Sequence, residues 1–434
     1  MINWRKPVIY SLLYLSGSKI PKYLEEIKRV DSMSDKEKKK YQEDKLKKLL
    51  LHSYENVPYY TKVLAEAGVV KDGKVHLENF SKIPILTKGI IRKEKENLLS
   101  KDYKSRKPYE NSSGGSTGEP VRFIQDKEYN EWNIANKIYY KIQRNYNIGN
   151  KELRLWGSEK DVLEEKESFK VRIRNFIFGR KEINSFNMSL QNMKNYYEVL
   201  NSYKPSWVEA YAHSIYEFAV FLEKNNLRPH TPKGIICSAG NLYPHMKQKI
   251  EEVFLTNVYN RYGSREVGDC ACTDNTKNGF RLSIWNQLIE VDTLNQNIYV
   301  TPLNNYSMPM VRYDIGDKAQ RGNKFSYLYN LEGRETTVFK TANGKIIPGE
   351  FFIHFVGVVF NKGDIGRFQV IQKDYKNIII KITIRDRESF MKSKLNIENS
   401  IKKVMGKVNI NWKEVSEIKP LKNGKYLYIV SELK

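Results

Sequence analysis

A short run of glycine and hydroxyl residues is the stretch of this chain best suited to chemistry. It reads Asn-Ser-Ser-Gly-Gly-Ser-Thr-Gly-Glu-Pro over residues 111–120, and a strand-like pattern follows it at 121–124. Glycine lets the backbone approach a ligand closely, while successive N–H groups and hydroxyls form a concave set of donors that suits phosphate oxygens. The run lacks the Gly-Lys-Ser/Thr ending of a Walker loop, and flexible linkers have a similar composition. The run by itself leaves a phosphate loop and a linker as alternatives.

Two further candidate segments follow predicted strands. One comprises Ser238, Ala239 and Gly240, and the other runs from Tyr262 to Glu266. Ligands of open parallel sheets bind beyond the carboxyl ends of the strands, so both segments are expected beside the Gly-rich run. Small residues leave room for a flat base, Tyr262 can stack on it, and the Glu266 carboxylate suits a hard cation such as Mg²⁺. Together they predict a nucleotide site, although each alone is equally typical of a turn or a solvated surface.

The elements that must position these segments alternate between strands and helices. Strands are predicted at 153–156, 207–211, 234–237 and 258–261, and helices at 128–144, 193–203, 214–225 and 244–254. This spacing is typical of parallel βαβ units in a sheet covered on both faces. Strands at 289–292 and 298–301 then indicate an antiparallel appendix. The predicted fold class is therefore α/β, with a large N-terminal domain of parallel βαβ sheets and an antiparallel appendix.

The two ends of the chain have patterns of their own. Residues 22–68 are predicted to be helical with a break at Pro58, and Thr87 is placed to cap a further helix. The C-terminal segment combines strands at 368–372, 377–383 and 426–430 with a helix at 389–405. We therefore predict two domains, residues 1–334 and a small α+β domain at residues 335–434.

Composition narrows the class of protein. The 434 residues are 40% hydrophobic and 12% aromatic, which favours a globular protein over a disordered one. The formal net charge of +24 would suit nucleic acid, a membrane surface or an anionic substrate. The basic residues are interleaved with acidic ones, however, and no nucleic-acid recognition motif occurs, so most of the charge is interpreted as solvated surface.

Cysteine content and hydropathy indicate the compartment. Three cysteines predict no disulfide framework and a reducing environment. The apolar run at 7–15, which follows Arg5 and Lys6, is short and has no convincing cleavage site, so it predicts an N-terminal helix that packs on the body. No other stretch is long and apolar enough to span a bilayer. The expectation is a cytoplasmic protein, with loose membrane association left open.

The cysteines also suggest a second site. Cys237 ends one predicted strand, Cys270 and Cys272 follow the next, and His245 lies on the helix between them. Three thiolates and one imidazole form a tetrahedral zinc set, whereas a buried cysteine more often serves as a small hydrophobe. A structural Zn²⁺ and an apolar role are both consistent with the sequence.

Four motifs, in this order, resemble the adenylate-forming acyl-CoA synthetase superfamily. They are the Gly-rich run at 112–120, the Tyr-Gly-x-x-Glu at 262–266, the Arg-Tyr-Asp-Ile-Gly-Asp at 312–317 and the Gly-Arg pair at 333–334. The segment at 49–88, which contains Asn-Val-Pro-Tyr-Tyr and Ile-Pro-Ile-Leu-Thr-Lys, is similar more narrowly to phenylacetate-CoA ligases and their relatives encoded with capsular polysaccharide biosynthesis. The resemblance covers nearly the whole chain and implies that the small C-terminal domain is mobile.

The resemblance implies a role for each matching position. Glu266 would hold Mg²⁺, Asp317 the ribose hydroxyls, and Arg334 would lie near the ribose or phosphates, while Lys425 would offset charge on the α-phosphate. The adenine slot would be formed by Ser238, Ala239, Gly240, Tyr262 and Gly263. The phosphates of ATP would contact Ser112, Ser113, Gly114, Gly115, Ser116, Thr117 and Gly118. The acid pocket would be formed by Trp156, Tyr211, Ala212 and His213.

The sequence also departs from the family pattern. Glu335, Thr336 and Thr337 stand where an acidic pair usually follows Gly-Arg, and Ser-Ala-Gly-Asn replaces the Ser-Ala-Glu-Pro of phenylacetate enzymes. The resemblance implies MgATP-dependent activation of a carboxylic acid as an acyl-adenylate, followed by transfer to CoA or an amine. The alternative is a non-catalytic protein that retains the fold and binds a nucleotide.

Overall fold

The computed structural model describes most of the chain. The described residues are 3–113, 121–157, 169–186, 188–274, 279–322, 325–332, 338–359, 364–418 and 427–433. The predicted phosphate-loop residues Gly114, Gly115, Ser116, Thr117 and Gly118 lie outside them, as do Arg334 and Lys425.

Helices cover the N-terminal third and alternate with strands thereafter. In chain order, the α-helices are Arg5–Leu15, Ile20–Asp31, Asp35–Asn56, Pro58–Glu66, Lys88–Glu94, Lys127–Ile142, Phe169–Ile177, Leu190–Tyr203, Ala212–Lys224, Pro244–Phe254, Gly349–His354 and Arg387–Met405. Short 3₁₀ turns occur at Leu77–Lys82, Lys95–Leu98 and Tyr103–Arg106, and a π turn at Phe355–Val359.

The strands are numbered here in chain order. They are β1 (Val70–Lys71), β2 (Lys74–Val75), β3 (Pro108–Ser112), β4 (Arg122–Asp126), β5 (Glu152–Trp156), β6 (Arg180–Asn184), β7 (Trp207–Tyr211), β8 (Gly234–Ser238), β9 (Val258–Ser264), β10 (Gly268–Asp274), β11 (Gly279–Leu282), β12 (Gln287–Val291), β13 (Asn297–Pro302), β14 (Tyr313–Arg321), β15 (Tyr327–Glu332), β16 (Val338–Lys340), β17 (Ile346–Pro348), β18 (Ile365–Gln372), β19 (Asn377–Ile384), β20 (Asn409–Glu414) and β21 (Ile429–Ser431).

One long sheet organises the large N-terminal part. Its strand order within the described residues is β12-β13-β14-β15-β11-β10-β9-β8-β7-β5-β6. The strands from β9 to β6 are parallel, and those from β9 to β12 are antiparallel. Tyr211 pairs with Ser238, so the carboxyl ends of β7 and β8 lie side by side. The predicted α/β class with an antiparallel appendix is confirmed.

Helices cover both faces of the parallel strands, as the buried apolar pattern of these strands requires. Ile236 of β8 packs in the core that contains Trp132 of helix Lys127–Ile142. Its neighbours Ile235 and Cys237 pack in the core that contains Ile250 of helix Pro244–Phe254. This is the alternation of side chains expected along a strand that is buried on both faces.

Helix signals in the sequence act as predicted. Thr87 caps helix Lys88–Glu94 by accepting a hydrogen bond from the Ile90 N–H. Pro58 does interrupt the N-terminal helices, because it is the first residue of a new helix, where its missing N–H is not needed. The predicted N-terminal helix is Arg5–Leu15, with Ile9 buried against the body.

Two predicted details need correction. Strand β9 does not end at residue 261 but continues to Ser264, because antiparallel pairing with β10 holds as far as Ser264 opposite Gly268. Tyr262 and Gly263 therefore lie within a strand rather than after one. Helix Phe169–Ile177 and edge strand β6 were not predicted from the sequence.

The C-terminal part is a small α+β unit, as predicted. Its described strands have the order β20-β19-β18-β21, and helix Arg387–Met405 packs on them through Ile397 and Ile401. The same core includes Phe186 and Tyr211 from the large sheet region. In the part of the chain that the structure describes, no helix is both long and apolar enough to cross a bilayer.

Candidate active site

A cavity of about 840 Å³ opens at the carboxyl ends of β7 and β8 and along β9. It brings together residues from most of the predicted sites. Those that line it are Trp156, Tyr211, Ser238, Ala239, Gly240, Tyr262, Gly263, Glu266 and Asp317. Residues separated by more than 150 positions therefore meet at one edge of the sheet, where open α/β sheets bind their ligands.

Tyr262 and Asp317 form one wall of the cavity. The Tyr262 hydroxyl donates a hydrogen bond to Oδ2 of Asp317 over 3.0 Å, and both residues are buried. Gly263 has no room for a side chain, since a Cβ there would lie 2.2 Å from the Gly268 carbonyl oxygen. The turn after β8 is also special, because Ala239 adopts a left-handed φ of 56°. Such strained backbone is concentrated at functional sites.

Glu266 lies at the bottom of this wall and is only 4% exposed. Its Oε1 accepts a hydrogen bond from the Tyr313 hydroxyl over 3.3 Å and lies 3.8 Å from Nζ of Lys88. The backbone beside it is fixed by the Gln125 side-chain amide, which donates to the carbonyls of Arg265 (2.8 Å) and Glu266 (3.3 Å). The carboxylate is thus held rigidly beside a buried cation.

Lys88 was assigned no role from the sequence. Its position follows from backbone pairing: Leu86 bonds to the backbone of Arg312 and Asp314, which places the next helix beside Tyr313 and Glu266. The sequence did contain a sign that Lys88 has a function, because a lysine in the first turn of a helix is repelled by the positive end of the helix dipole. A cation in this unfavourable position indicates that something other than helix stability requires it.

The Gly-rich run connects the two strands of a hairpin. Ser112 of β3 pairs with Arg122 of β4, and the Ser113 N–H donates to the Val121 carbonyl over 2.9 Å. The Ser113 hydroxyl is fully buried and accepts a hydrogen bond from the Val121 N–H over 2.8 Å. Ser113 therefore holds the two ends of the loop together, while Asn111 on the same strand lines the cavity.

The opposite wall contains two of the four residues predicted for the acid pocket. The rings of Trp156 and Tyr211 lie 4.2 Å apart and both face the cavity. Ala212 is fully buried in the core. His213 lies behind the wall, with Nδ1 3.7 Å from Oε1 of Glu350, a cavity-lining residue that sequence reasoning missed. Burial lowers the pKa of His213, but the Glu350 carboxylate raises it by more, so the net shift is upward.

The floor of the cavity is polar, which no motif had indicated. Asn133 and Lys137 project from helix Lys127–Ile142, and Arg261 and Asp269 from β9 and β10. Lys137 Nζ lies 3.8 Å from Oδ2 of Asp269, and 45% of the Lys137 side chain is exposed. The Asp269 carboxylate raises the pKa of Lys137, but burial and the nearby Arg261 guanidinium lower it by more. The net shift of the Lys137 pKa is therefore downward. The floor thus offers both hydrogen-bond donors and acceptors.

A buried charge network supports this floor. Glu209, in the middle of β7, lies 2.8 Å from Arg261, 3.4 Å from Arg154 and 3.6 Å from Lys141. Lys141 also pairs with Glu152 at 2.7 Å. Burial raises the pKa of Glu209, but the two guanidiniums and the ammonium lower it to well below its usual range. The alternating orientation of strand residues places these charges on the face covered by helix Lys127–Ile142.

The four predicted zinc ligands do not come together. Within the described residues, which include all four, no group of three or more His, Cys, Asp or Glu side chains is placed to hold a metal. Cys270 and Cys237 pack in the cores on opposite faces of the sheet, and His245 stacks on Tyr243. Burial raises the pKa of all three thiols, Cys272 included. The cysteines therefore act as small apolar core residues, and the zinc prediction is corrected.

Comparisons with known proteins find relatives both for the C-terminal part and for nearly the whole chain. Residues 339–432 match the CapK C-terminal domain. The chain is 25% identical over 428 residues to Protein CapK of Staphylococcus aureus, which covers 95% of this chain and 93% of that protein.

Solved structures give the fold. A 2-hydroxyisobutyryl-CoA ligase in complex with 2-HIB-AMP and CoA has a TM-score of 0.57 at 15% identity, with 92% of this chain and 91% of that chain covered. The postadenylation state of that ligase with R3-HIB-AMP has a TM-score of 0.54 at 15% identity, with 92% and 90% covered. The resemblance noted in the sequence is confirmed at the level of the fold: the chain has the fold of this CoA ligase, and its residues 339–432 match the CapK C-terminal domain.

Proposed function

We propose that this protein activates a carboxylic acid with ATP, forms an acyl-adenylate, and transfers the acyl group to a thiol or amine. One observation carries the proposal: Ser238, Tyr262, Glu266 and Asp317, predicted as ligands of the nucleotide and its Mg²⁺, line a single cavity. Chance would not gather residues from three separate segments around a space large enough for a nucleotide and a small acid. The fold supports the same reaction class.

In the first step the substrate carboxylate attacks the α-phosphorus of ATP, and the bond to the pyrophosphate oxygen breaks. Asp317 accepts hydrogen bonds from the ribose hydroxyls, and Tyr262 lies against the base. Glu266 is the carboxylate that would hold Mg²⁺, which supplies charge neutralisation of the phosphates. Residues 114–118 of the Gly-rich run and Lys425, all outside the described residues, would bind phosphate oxygens. Catalysis then rests on positioning and charge stabilisation rather than on a protein nucleophile.

Lys88 has a place in this scheme. Its ammonium group is buried 3.8 Å from Glu266, so it adds positive charge where the phosphates would meet the metal. A buried cation is worth more there than in water, because the surroundings screen it less.

The cavity floor favours a polar acid. Asn133, Lys137 and Asp269 present an amide, an ammonium and a carboxylate to the space next to the proposed nucleotide site. An aryl or long alkyl chain would displace the water beside these groups without offering them new hydrogen bonds, at a cost of about 1–3 kcal/mol for each hydrogen bond lost. A short acid that carries hydroxyl, amide or amino groups would satisfy them. The fold neighbour that binds 2-HIB-AMP handles a short hydroxy acid, which is in keeping with this choice.

In the second step CoA or an amine attacks the acyl carbon, the bond to the phosphate oxygen breaks, and AMP leaves. The fold neighbour binds CoA. The narrower resemblance to ligases encoded with capsular polysaccharide biosynthesis favours an amine, such as an amino group on a sugar, and a role in building a cell-surface polysaccharide. A protein that only binds nucleotide is the alternative, and the replaced acidic pair at 335–337 is the feature that favours it.

The decisive experiment is acid-dependent exchange of labelled pyrophosphate into ATP with a panel of polar, aryl and alkyl acids. We expect exchange with a subset of the polar acids, and at least a 100-fold loss in Glu266→Gln and in Lys425→Ala. Lys422→Ala, in the same segment as Lys425, and Glu252→Gln, on the surface of helix Pro244–Phe254, are the matched controls. ATP binding without exchange for any acid would establish the binding protein instead. Acceptors are then compared by adding CoA or amines to the active acid.

A further inference from the structure

Two short helices expose an unusual amount of apolar surface. Eight of the fifteen large hydrophobic side chains that are exposed among the described residues lie in residues 4–15 and 169–176. Seven of them form what is called here the apolar patch: Trp4, Val8, Leu12, Leu15, Phe169, Ile173 and Phe176. Leu15 is 80% exposed and Phe169 is 74% exposed. Soluble proteins rarely concentrate apolar surface in this way unless something covers it.

The patch is continuous across the two helices. The ring centroids of Trp4 and Phe176 are 6.1 Å apart, and the Arg5 guanidinium lies over both rings at 4.7 and 5.5 Å. Arg5 also donates a hydrogen bond to the Phe176 carbonyl over 3.1 Å, which joins the helices. Specific contacts therefore hold the patch together.

Helical spacing places the apolar residues on one stripe of each helix. Residues 4, 8, 12 and 15 fall within about 80° of one another around helix Arg5–Leu15, and residues 169, 173 and 176 within about 60° on helix Phe169–Ile177. Each helix contacts the body through a buried residue outside its stripe, Ile9 on the first and Asn175 on the second. The apolar stripe of each helix therefore faces away from the core.

The charges within the two helices of the patch have one sign. Its two helices carry five basic residues and no acidic ones. The basic residues are Arg5, Lys6, Lys170, Arg172 and Arg174. A basic, aromatic-rich amphipathic surface of this kind suits the boundary between anionic headgroups and acyl chains. A second copy of the chain would bring these like charges together.

We propose that the apolar patch docks this protein on an anionic membrane surface, with both helices lying in the headgroup layer. Trp4, Leu15 and Phe169 insert among the acyl chains, while the five cations contact lipid phosphates. The patch shares no residue with the cavity. The inference goes beyond the proposed ligase activity and is independent of it.

Co-sedimentation of the full-length protein with vesicles tests the proposal. Vesicles of phosphatidylglycerol and phosphatidylcholine are compared with vesicles of phosphatidylcholine alone, at low and high salt. We expect binding to the anionic vesicles that weakens at least tenfold in Leu15→Ser/Phe169→Ser and in Lys170→Glu/Arg172→Glu, and that falls with salt. All four side chains are exposed, so the variants should remain folded.

Controls use equally exposed residues elsewhere. Leu294→Ser/Leu395→Ser and Lys36→Glu/Lys40→Glu should bind like the wild type. Failure of the wild type to bind anionic vesicles would overturn the proposal, and so would equal losses in the controls. Sedimentation velocity without vesicles completes the test: a concentration-dependent dimer that Leu15→Ser/Phe169→Ser abolishes would show that a second copy covers the patch instead.

Discussion

The two ends of the cavity are built in different ways. The proposed nucleotide end uses residues in or just after strands, such as Ser238, Tyr262 and Glu266, in short segments with a recognisable order. The proposed acid end uses Asn133, Lys137 and Asp269, which meet only because a helix packs across two strands. Local backbone geometry therefore specifies the first end, and tertiary packing specifies the second.

The two ends also differ in electrostatics. Glu266 at the nucleotide end has Lys88 at 3.8 Å as its neighbouring cation, whereas the acid end rests on a network of four carboxylates and four cations. Taking so many charges out of water is costly. Such a network therefore fixes the positions of its side chains more than it raises the free energy of unfolding. The nucleotide end can thus accept a charged ligand, while most of the charges beneath the acid end are already paired with one another, so that end selects by shape and hydrogen bonding.

The largest expected effect concerns the network under the acid end. Glu209→Gln should lower the free energy of unfolding by about 3–5 kcal/mol, because it leaves buried cations without their central carboxylate. Glu182→Gln is the matched control: it removes a carboxylate 3.1 Å from Arg154 that is 35% exposed, and should cost at most about 1 kcal/mol. Urea unfolding of both variants measures the difference. Equal costs would mean that the network does not organise the acid end.

The next effect concerns the nucleotide end. Asp317→Asn should raise the KM for ATP roughly 10- to 100-fold, because a charged acceptor for the ribose hydroxyls is lost. Tyr262→Phe, which removes only the hydroxyl that donates to Asp317, should raise it a few-fold. Neither variant should change the KM for the acid more than about twofold. A parallel rise in both constants would contradict the separation of the two ends.

Lys137→Met tests the acid end, where we expect the KM for the acid to change and the KM for ATP to stay the same. We expect the KM for a polar acid to rise roughly tenfold while the KM for ATP stays unchanged, since the ammonium is assigned to the acid end. Lys127→Met, on the same helix but paired with Glu131 at 3.7 Å, is the control. Steady-state pyrophosphate exchange gives both constants. Improved use of an apolar acid by Lys137→Met would strengthen the assignment, whereas an unchanged KM for the polar acid would refute it.

The smallest effect is a pH dependence at the wall behind the acid end. The folded-state pKa of His213 is raised by Glu350 relative to the unfolded chain, so its stabilisation is complete below pH of about 6.5 and is lost as pH rises through the folded value. The Tm of the wild type should therefore fall more between pH 6 and pH 8.5 than the Tm of His213→Gln. Scanning calorimetry at matched ionic strength makes the comparison. If the Tm values of the two proteins change with pH in the same way, the His213–Glu350 pair does not link protonation to stability.

Much of the site could be predicted from the sequence, for identifiable reasons. Tyr262, Glu266 and Asp317 could be found because each belongs to a short motif with a fixed relation to a strand. Lys88 is the last residue of the Ile-Pro-Ile-Leu-Thr-Lys motif. Only the pairing of Leu86 with β14, however, shows that the Lys88 amine lies near Glu266. Lys137 and Glu350 could not be found, because an exposed-looking helical lysine and a helix-start glutamate have no distinguishing local signal.

The sequence by itself determined the alternation of strands and helices, the cap at Thr87, the helix break at Pro58 and the order of the motifs, because each depends on neighbours within a few residues. Tertiary structure alone decided which face of the sheet each side chain takes. It separated Cys237 from Cys270 and so removed the predicted zinc set, and it assembled the Glu209 network and the polar cavity floor. The physical reason is that the face of the sheet on which a side chain lies depends on strand pairing, bulges and helix packing. These are contacts between distant segments, and the neighbouring residues in the sequence do not indicate them.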